Sequence, residues 1–403
     1  MNTTTEQQIM AHNESNWDLF WTFLKIGSTA FGGFMALISV VQNYLVDRKK
    51  LLTESEILDG ISLATILPGP VAVNVVAYSG YRINGIPGAV VCATAVILPS
   101  FILILLLSHL YFTWGELPVV SNIFKGFIPA VAAIIVAATL NLGKKTLKGK
   151  AEYAIAIMAL LFLTIIGGFY STIGIIIASG LAGLLFFKNS SDTGIETARI
   201  VPDKKQAFPK SILAFFALPL AAMALPLINT GSVISAKLFI TFAGMSVLLF
   251  GGGFVFIPMI QEIVVDSYAW VTNKEFIDGI ALGQITPGPI LISATFIGYK
   301  MAGILGATAA TIGIFLPPAM LMLLCTHFLD KLKQSVSINA ALTGIRCGVI
   351  GMIAAASIVV LQSAEQNWIS AVIFLAALVS LVKFKLEVVW IIPISGLIGF
   401  LLY

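Results

Sequence analysis

The chain contains, at residues 31–70, the stretch FGGFMALISVVQNYLVDRKKLLTESEILDGISLATILPGP. A second copy, FGGGFVFIPMIQEIVVDSYAWVTNKEFIDGIALGQITPGP, occupies residues 250–289 at a constant offset (250 − 31 = 219), and 17 of the 40 aligned positions are identical. The identical positions include the FGG that opens each copy and the PGP that closes it. Because a repeat at a fixed offset is the signature of a repeated structural unit, we expect two versions of one unit.

Composition predicts the class of protein in which this repeat lies. The 403 residues are 58% hydrophobic and only 10% charged, whereas a soluble domain has about 25% charged residues. The mean hydropathy of +1.00 predicts an all-α, multi-pass protein of the cell (inner) membrane. The N-terminal residues MNTTTEQQIMAHNESNWD lack the pattern of a cleaved signal peptide,.

Other features of the composition argue against several functions. The three cysteines, Cys92, Cys325 and Cys347, lie inside apolar runs and predict neither a disulfide framework nor a metal site,. The net charge of +4 comes from basic residues in short loops, which carry topology information and do not indicate a nucleic-acid surface,. The chain has no H-E-x-x-H, P-loop or Gly-x-Ser-x-Gly signature, so we expect no enzymatic activity and no cofactor.

The repeat extends beyond PGP after a one-residue shift and predicts the domain boundaries. Residues 80–82 (GYR) match residues 298–300 (GYK), and GLAGLLFF at the end of the first half resembles GLIGFLLY at the end of the chain. We therefore predict three parts: an N-terminal repeat, a cytoplasmic linker with a connecting apolar helix, and a C-terminal repeat, at residues 17–187, 188–235 and 236–403.

The loop charges predict that the two halves have opposite orientations. The loop 47–53 holds three Lys or Arg residues, whereas its counterpart 266–273 holds none. Conversely, the loop 113–120 holds none, and the loop after Phe328 holds two lysines. Lys and Arg mark the cytoplasmic side of a membrane protein. The sequence thus predicts inverted-topology repeats with Gly/Pro-broken or re-entrant helices.

One crossing stays undecided at this level. Either residues 211–228 cross the membrane and the segments 20–46 and 236–265 fold back at their glycines, or the reverse holds. Helices too short to span can end at mid-membrane where protein buries their ends. We favour the fold-back version, which places the N-terminus in the cytoplasm.

The doubled breaks are the candidate binding site. Thr53-x-x-Glu56 and Thr272-x-x-Glu275 predict capping boxes that start two matched helices,, and proline ends each helix at PGP. The helix that follows a break offers free N–H groups and a partial positive charge, which favour an anion. The alternative is a proline kink with glycine-mediated packing. The predicted site comprises Phe31, Gly32, Gly33, Pro68, Gly69, Pro70, Phe250, Gly251, Gly252, Pro287, Gly288 and Pro289.

Two unduplicated cations are candidates to neutralise such an anion. Lys25 and Arg346 lie in apolar runs, and their counterparts are Gly244 and Ile128. Intramembrane ionisable residues are functional candidates by default, and a guanidinium can bind an oxyanion with two parallel hydrogen bonds. The alternative is that each side chain extends to the interface.

Two duplicated carboxylates are candidates for proton coupling. Asp59 and Asp278 lie near the start of the two capped helices. A carboxylate repels an anionic substrate, so we interpret these residues as proton-exchange groups. The alternative is a negative charge that stabilises a helix N-terminus.

Together these motifs resemble the chromate ion transporter family, in its long-chain, two-domain form. The resemblance rests on FGG, Q-x-x-x-x-D, E-x-x-D-G-I-x-L-x-x-x-x-P-G-P, Gly-Tyr-Arg/Lys and LPS/LPP, each present twice in order, and it covers the chain from about Phe20 onward. It implies a secondary transporter that exports chromate, driven by the membrane potential or the proton gradient, and thereby confers chromate resistance. One position departs between the copies, Asn74 against Ser293, and we add both residues to the predicted site.

The resemblance leaves alternatives open. The native substrate is chromate or a sulfate-like oxyanion, and the chain could instead be an oxyanion uptake symporter or a passive anion channel. Expected partners are this oxyanion, the lipid bilayer and protons, with a homodimer left open and no nucleic acid.

Overall fold

A computed structural model describes residues 14–30, 34–115, 117–188, 234–249, 256–326 and 335–403, and these residues form helices without any strand. In the first half the helices are α1 (Asn16–Thr29), α2 (Phe34–Gln42), α3 (Glu54–Ile66), α4 (Val71–Trp114), α5 (Pro118–Thr146), α6 (Lys150–Ile166) and α7 (Phe169–Phe187). In the second half they are α8 (Ile234–Ser246), α9 (Phe256–Gln261), α10 (Asn273–Ile285), α11 (Ser293–Thr326), α12 (Val336–Gln362), α13 (Trp368–Val382) and α14 (Val388–Leu402).

Four of the described helical segments are long and apolar enough to cross a membrane. They are Val71–Trp114, Pro118–Thr146, Ile290–Thr326 and Val336–Gln362. Many of their large apolar side chains are exposed, for example Ile86 and Leu305, which suits contact with lipid. The structure thus confirms the predicted all-α, multi-pass membrane protein.

The predicted break at PGP reverses the direction of the chain. The Arg82 guanidinium, after the break, forms an ion pair with the Glu56 carboxylate, before it. A straight helix would hold these two residues about 39 Å apart. Gly60 of α3 packs directly against the Tyr78 ring of α4, which explains the absence of a side chain there. Residues 54–82 therefore form an antiparallel helical hairpin with PGP at its tip.

The second half contains the same hairpin. Both predicted capping boxes are present, each with reciprocal bonds between the Thr and the Glu three residues later. The Lys300 ammonium lies 2.5 Å from the Glu275 carboxylate, and Gly279 packs against the Phe296 ring as Gly60 does against Tyr78. The tip of this second hairpin is the second PGP.

Each hairpin is followed by a second reversal before the long crossing helix. Within α4 the backbone leaves the helical conformation at Asn84 and Gly85, and within α11 it does so at Ala302 and Gly303. Gly80 then lies against the Gly88 carbonyl, so the two arms of α4 are in close contact. Each of these long helices is therefore a short hairpin arm followed by a crossing segment.

In each half the start of the N-terminal segment lies close to its end, as the fold-back version that we favour from the sequence expects. Glu14, just before α1, forms a 3.0 Å ion pair with Lys49, after the π-helical turn Asn43–Arg48 that extends α2. This carboxylate raises the pKa of Lys49. In the second half, the Lys237 ammonium at the start of α8 lies 4.0 Å from the ring of Tyr268. Segments 20–46 and 236–265 thus fold back, and residues 211–228 lie outside the described residues.

The two halves share one core and do not pack as separate domains. The largest buried cluster combines first-half residues such as Phe127 with second-half residues such as Phe276. At the closest approaches, Gly126 of α5 meets Gly399 of α14, and Gly183 of α7 meets Gly344 of α12. Small residues allow such backbone contact between membrane helices. Helices of opposite halves therefore pack against each other.

A cross-linking experiment tests the hairpin directly. With the native cysteines replaced, we expect cysteines introduced at Glu56 and Arg82 to be joined by a short bismaleimide, because their side chains are in contact. The control pair is Glu56 and Thr113, since Thr113 lies at the far end of α4. Equal linking of both pairs, or of neither, would contradict the hairpin.

Candidate functional site

The structure describes one of the two kinds of break in each half. Both PGP loops are described, and the first is buried whereas Gly288 and Pro289 of the second are partly exposed. The FGG residues Phe31, Gly32, Gly33, Phe250, Gly251 and Gly252 lie outside the described residues. The residues directly before them, Ala30 and Leu249, are described.

Each PGP loop is bonded to the other half of the chain. The Gly69 N–H donates to the Leu249 carbonyl over 2.6 Å, and the Gly288 N–H donates to the Ala30 carbonyl over 3.1 Å. Leu249 and Ala30 are the residues that precede the two FGG breaks. The first PGP is therefore bonded to the residue that precedes the second FGG, and the second PGP to the residue that precedes the first FGG.

A second pair of contacts repeats this exchange. The Ser100 hydroxyl of α4 donates to the Pro287 carbonyl in the second PGP. Pro318 of α11 lies against Gly69 in the first PGP. Ser100 and Pro318 are the last residues of LPS and LPP and occupy the same position in the two copies (318 − 100 = 218). The long helix of each half thus supports the loop of the other.

The two tip glycines are required by their backbone conformation. Gly69 has φ +107° and Gly288 has φ +108°, a region in which a side chain is strained. A Cβ at Gly69 would also overlap the Pro318 ring, and one at Gly288 would lie 2.8 Å from the Ser100 Oγ. The first loop is thus closed against a rigid ring and the second against a hydroxyl that can rotate.

The helix that leaves the first PGP offers hydrogen-bond donors. α4 begins at Val71, and Pro70 supplies no side-chain cap. The N–H groups of its first turn have no partner within the helix, and the helix dipole is positive there. This end can bind an anion. In the second half a 3₁₀ turn, Ile290–Ile292, replaces the first turn.

The departure at Asn74 and Ser293 makes the two halves chemically different. Asn74 is fully buried, and its Nδ2 donates to the Pro68 carbonyl over 3.3 Å. Its Oδ1 has no hydrogen-bond partner among the described residues. Ser293 instead donates to the Ile290 carbonyl of its own turn over 2.9 Å. At this matched position, therefore, the first half bonds an amide to its PGP loop and the second half carries a hydroxyl bonded within its own turn.

Arg346, from the opposite half of the chain, contacts the last turn of α3 just before the first PGP. Its guanidinium donates over 3.3 Å to the carbonyl of Thr65, which lies three residues before Pro68. Within the described residues no carboxylate pairs with this guanidinium. An unpaired cation on a crossing helix is costly unless an anion joins it. Lys25 is exposed on α1, and no described contact joins it to a PGP loop.

The two candidate proton-exchange residues differ in their surroundings. Asp278 is fully buried; its Oδ2 accepts hydrogen bonds from the Tyr111 hydroxyl at 2.6 Å and from the Lys274 ammonium at 2.8 Å. Its Oδ1 has no partner among the described residues. Asp59 is only partly buried. Sequence reasoning missed both Tyr111 and Lys274, although the unduplicated charge of Lys274 was a usable signal.

A pocket of about 580 Å³ with both polar and apolar walls lies beside Lys274. Its wall includes Lys125, Gln261, Asn273, Lys274 and Glu365, and Lys125 forms a 2.9 Å ion pair with Glu365. These residues lie in or next to the loops 113–120, 266–273 and 363–367, which carry no Lys or Arg. Asn273 and Thr286 bound α10, so the pocket is about 20 Å from the second PGP.

Comparison with known proteins gives a family match over most of the chain. The family model described as chromate transporter matches residues 17–184 and 236–400. An uncharacterized transporter of Methanocaldococcus jannaschii is 31% identical over 406 residues, which cover 100% of this chain and 98% of that protein.

Two relatives have names that state a substrate. The chromate transport protein of Pseudomonas aeruginosa is 31% identical over 392 residues, 96% of this chain and 92% of its own. The chromate transport protein of Cupriavidus metallidurans is 29% identical over 382 residues, 94% of this chain and 92% of its own. No solved structure matches the chain.

Proposed function

Because the chain belongs to the chromate transporter family, we propose that it exports chromate from the cytoplasm as a secondary transporter and thereby confers chromate resistance. The observation that carries this proposal is the Arg346 guanidinium, which pairs with no carboxylate among the described residues and contacts the last turn of α3, at Thr65, three residues before the first PGP loop. A guanidinium and the uncapped start of α4 after that loop both favour an anion. The substrate is a tetrahedral oxyanion of the chromate type.

The proposed binding site is formed by both halves together. It comprises the two PGP loops, the two FGG segments, Asn74 and Ser293, with Arg346 or Lys25 supplying positive charge. The residue that precedes each FGG accepts a hydrogen bond from one of the PGP loops. The glycine N–H groups of the PGP loops already hold the halves together. The donors left for substrate are therefore the first-turn N–H groups after Pro70, the Asn74 amide and the guanidinium.

The topology that we propose for this function is a pair of inverted repeats. The repeats are residues 17–187 and 236–403, joined by 188–235. The matched hairpins and their exchanged contacts support it, because each tip is bonded to the equivalent position of the opposite half, Gly69 to Leu249 and Gly288 to Ala30. In such transporters broken helices meet near the bilayer midplane, where they bind substrate while the repeats rock around it.

The membrane potential favours one direction of transport for a dianion. Moving one charge across the membrane is worth about 2.3 kcal/mol per 100 mV, so a dianion that leaves a negative interior gains about 4.6 kcal/mol. Uptake of the same dianion would need more than two accompanying protons to be electrically favourable. Export is thus the downhill direction for chromate, with proton exchange at Asp278 or Asp59 as the candidate coupling step.

The second candidate function is an oxyanion uptake symporter for sulfate or a related dianion. The observation that favours it is the buried Asp278 with one unpartnered oxygen, a group able to carry a proton with the anion. Backbone donors discriminate poorly between tetrahedral dianions of similar size. A passive anion channel is a third reading, which flux without saturation and without response to a proton gradient would support.

Uptake into inside-out membrane vesicles tests the proposal. We expect chromate to accumulate when an interior-positive potential is imposed, and to do so in the presence of excess sulfate, because export becomes uptake in this orientation. Vesicles without the protein and vesicles with collapsed potential are the controls. Competition by sulfate would indicate a general dianion carrier, and absence of chromate uptake under every condition would overturn the proposal.

A further inference from the structure

The pocket at the loops without Lys and Arg holds two ammonium groups that are already neutralised. Lys125 is paired with Glu365 at 2.9 Å, and Lys274 is paired with Asp278 at 2.8 Å. Both lysines line the pocket of about 580 Å³. Its wall also carries amide side chains from Gln261 and Asn273, which can donate hydrogen bonds. These groups suit an oxyanion that displaces the carboxylates.

Lys274 connects this open pocket to a buried group. Its side chain is 57% exposed, whereas the Asp278 side chain to which it is bonded is 0% exposed. The second oxygen of that carboxylate is buried and has no partner among the described residues. If Lys274 turned toward a ligand in the pocket, Asp278 would keep only the Tyr111 hydroxyl. A buried carboxylate that loses its counter-ion favours its neutral, protonated form.

The arrangement exists in one half only, although the scaffold around it is duplicated. Lys274 corresponds to Ser55 (274 − 219 = 55) and Lys125 corresponds to Thr343 (343 − 125 = 218). In contrast, the neighbouring pair Glu275–Lys300 recurs as Glu56–Arg82. Shared structure therefore explains the duplicated pair, and it does not explain the two lysines.

We propose that the pocket is a second anion site, for a tetrahedral oxyanion, in which ligand binding is coupled to protonation of Asp278 through Lys274. The proposal deepens the proposed transport function and rests on it. The anion accepts hydrogen bonds from Lys274 and Lys125 in place of Asp278 and Glu365. One proton from water then binds to the Asp278 Oδ1, and no covalent bond of the anion changes.

The charged neighbours of Asp278 set the sign of this coupling. Lys274 and Glu275 face it from its own helix and Tyr111 from α4; Lys300 of α11 is held by Glu275. The residues of α9 and α14 include no titratable side chain. The anion takes Lys274 away from Asp278, which favours protonation of Asp278, and protonation of Asp278 in turn frees Lys274 for the anion. The anion and the proton therefore bind together, and anion affinity should increase as the pH is lowered.

A co-bound proton leaves the proposed direction of transport unchanged. It reduces the exported charge from two to one, and the electrical gain then falls to about 2.3 kcal/mol per 100 mV. The same linkage would serve an uptake symporter. The inference therefore concerns the pocket and Asp278, and it does not depend on which direction is correct.

Proton uptake on anion binding tests the coupling. The full chain, purified in detergent, is titrated with sulfate in a weakly buffered solution that contains a pH indicator, and binding is measured in parallel by calorimetry. Sulfate is the probe because it stays a dianion near neutral pH, so any protons taken up from the solution bind to groups of the protein and not to the anion. We expect about one proton to be taken up per sulfate bound.

Three variants test whether Asp278 takes up the proton and whether Lys274 binds the anion. Asp278→Asn should bind sulfate without proton uptake, and Glu54→Gln, which removes an exposed carboxylate from the matched helix α3, is the control that should keep proton uptake. Lys274→Ser, with the residue of the first half, should lower sulfate affinity by about tenfold, the value of one charge-assisted hydrogen bond. Lys274→Ser also keeps the site testable if Asp278→Asn does not fold. A size-exclusion profile would reveal such a folding defect.

The outcomes separate this inference from the proposed function. Sulfate binding without proton uptake in the wild type, or uptake that persists in Asp278→Asn, would overturn the coupling even if vesicles transport chromate. Unchanged affinity in Lys274→Ser would overturn the site. Conversely, proton-linked sulfate binding in a protein that does not transport chromate would uphold the site and refute chromate export.

Discussion

Replacement of Gly69 by alanine is expected to reduce chromate transport at least tenfold (about 1.4 kcal/mol). A side chain at φ +107° costs about 1–3 kcal/mol of backbone strain. The new Cβ would in addition overlap the ring of Pro318, which cannot rotate away. The first loop would then move relative to the start of α4 and to Arg346. Potential-driven chromate uptake into inside-out vesicles measures the effect.

Gly288→Ala is the internal comparison for this prediction. Its backbone strain is the same, with φ +108°, but its Cβ meets the Ser100 Oγ at 2.8 Å, and a hydroxyl can turn aside. We therefore expect a smaller loss of transport. Pro318→Ser should partly rescue Gly69→Ala, because serine is the residue at that position in the other copy.

The control for both substitutions is Gly174→Ala. This glycine of α7 has no atom within 4 Å of an added Cβ and no positive φ, so transport should be unchanged. Expression and size-exclusion behaviour of all variants would show whether a loss comes from folding. Transport at the wild-type level in Gly69→Ala would contradict the assignment of the first PGP loop to the site.

Replacement of Arg346 by isoleucine should weaken the apparent affinity for chromate by about ten- to 150-fold. Isoleucine is the residue at the equivalent position of the first half, Ile128, so the helix should tolerate it. A charge-assisted hydrogen bond contributes about 1.5–3 kcal/mol, which corresponds to a loss of about ten- to 150-fold in affinity. Arg346→Lys should retain part of the affinity, since it keeps the charge and loses the planar fork.

Arg48→Gln removes the same charge from an exposed position and serves as the control for net charge. Initial rates at increasing chromate concentration would separate a weaker affinity from a lower maximal rate. We expect the Arg346 variants to change the apparent affinity first. Normal transport by Arg346→Ile would remove this guanidinium from the site and leave Lys25 as the remaining cation candidate.

The sequence predicted the capped starts of α3 and α10 and their breaks at PGP correctly, and it left the arrangement of the helices open. The capping boxes and the PGP breaks follow from local chemistry, and the structure confirms them. The reversal at PGP was not predictable in this way, because a Pro-Gly break permits both a kink and a turn. The Glu56–Arg82 ion pair shows that the break is a turn and not a kink. Its two residues are too far apart in sequence for any helical spacing rule to predict their contact.

For the candidate site, too, the sequence indicated individual residues but not the contacts between them. The sequence identified Asn74, Arg346 and Asp278, because an unduplicated or intramembrane polar residue stands out against an apolar background. It could not place Arg346 beside Thr65, or Tyr111 beside Asp278, since those contacts join distant helices. In the sequence, Ser100 and Pro318 were only the last residues of the LPS and LPP motifs. Their contacts with the PGP loop of the other half became known from the structure.

The exchanged contacts at the two PGP loops also bear on how the repeat evolves. In a duplicated gene each copy is normally free to diverge, because a change in one copy is not felt by the other. Here a substitution at Pro318 alters the surroundings of Gly69, and one at Ser100 alters those of Gly288. The two copies thus act as mutual selective constraints. This constraint accounts for the identity of PGP in the two copies, while 23 of the 40 aligned positions (40 − 17 = 23) differ.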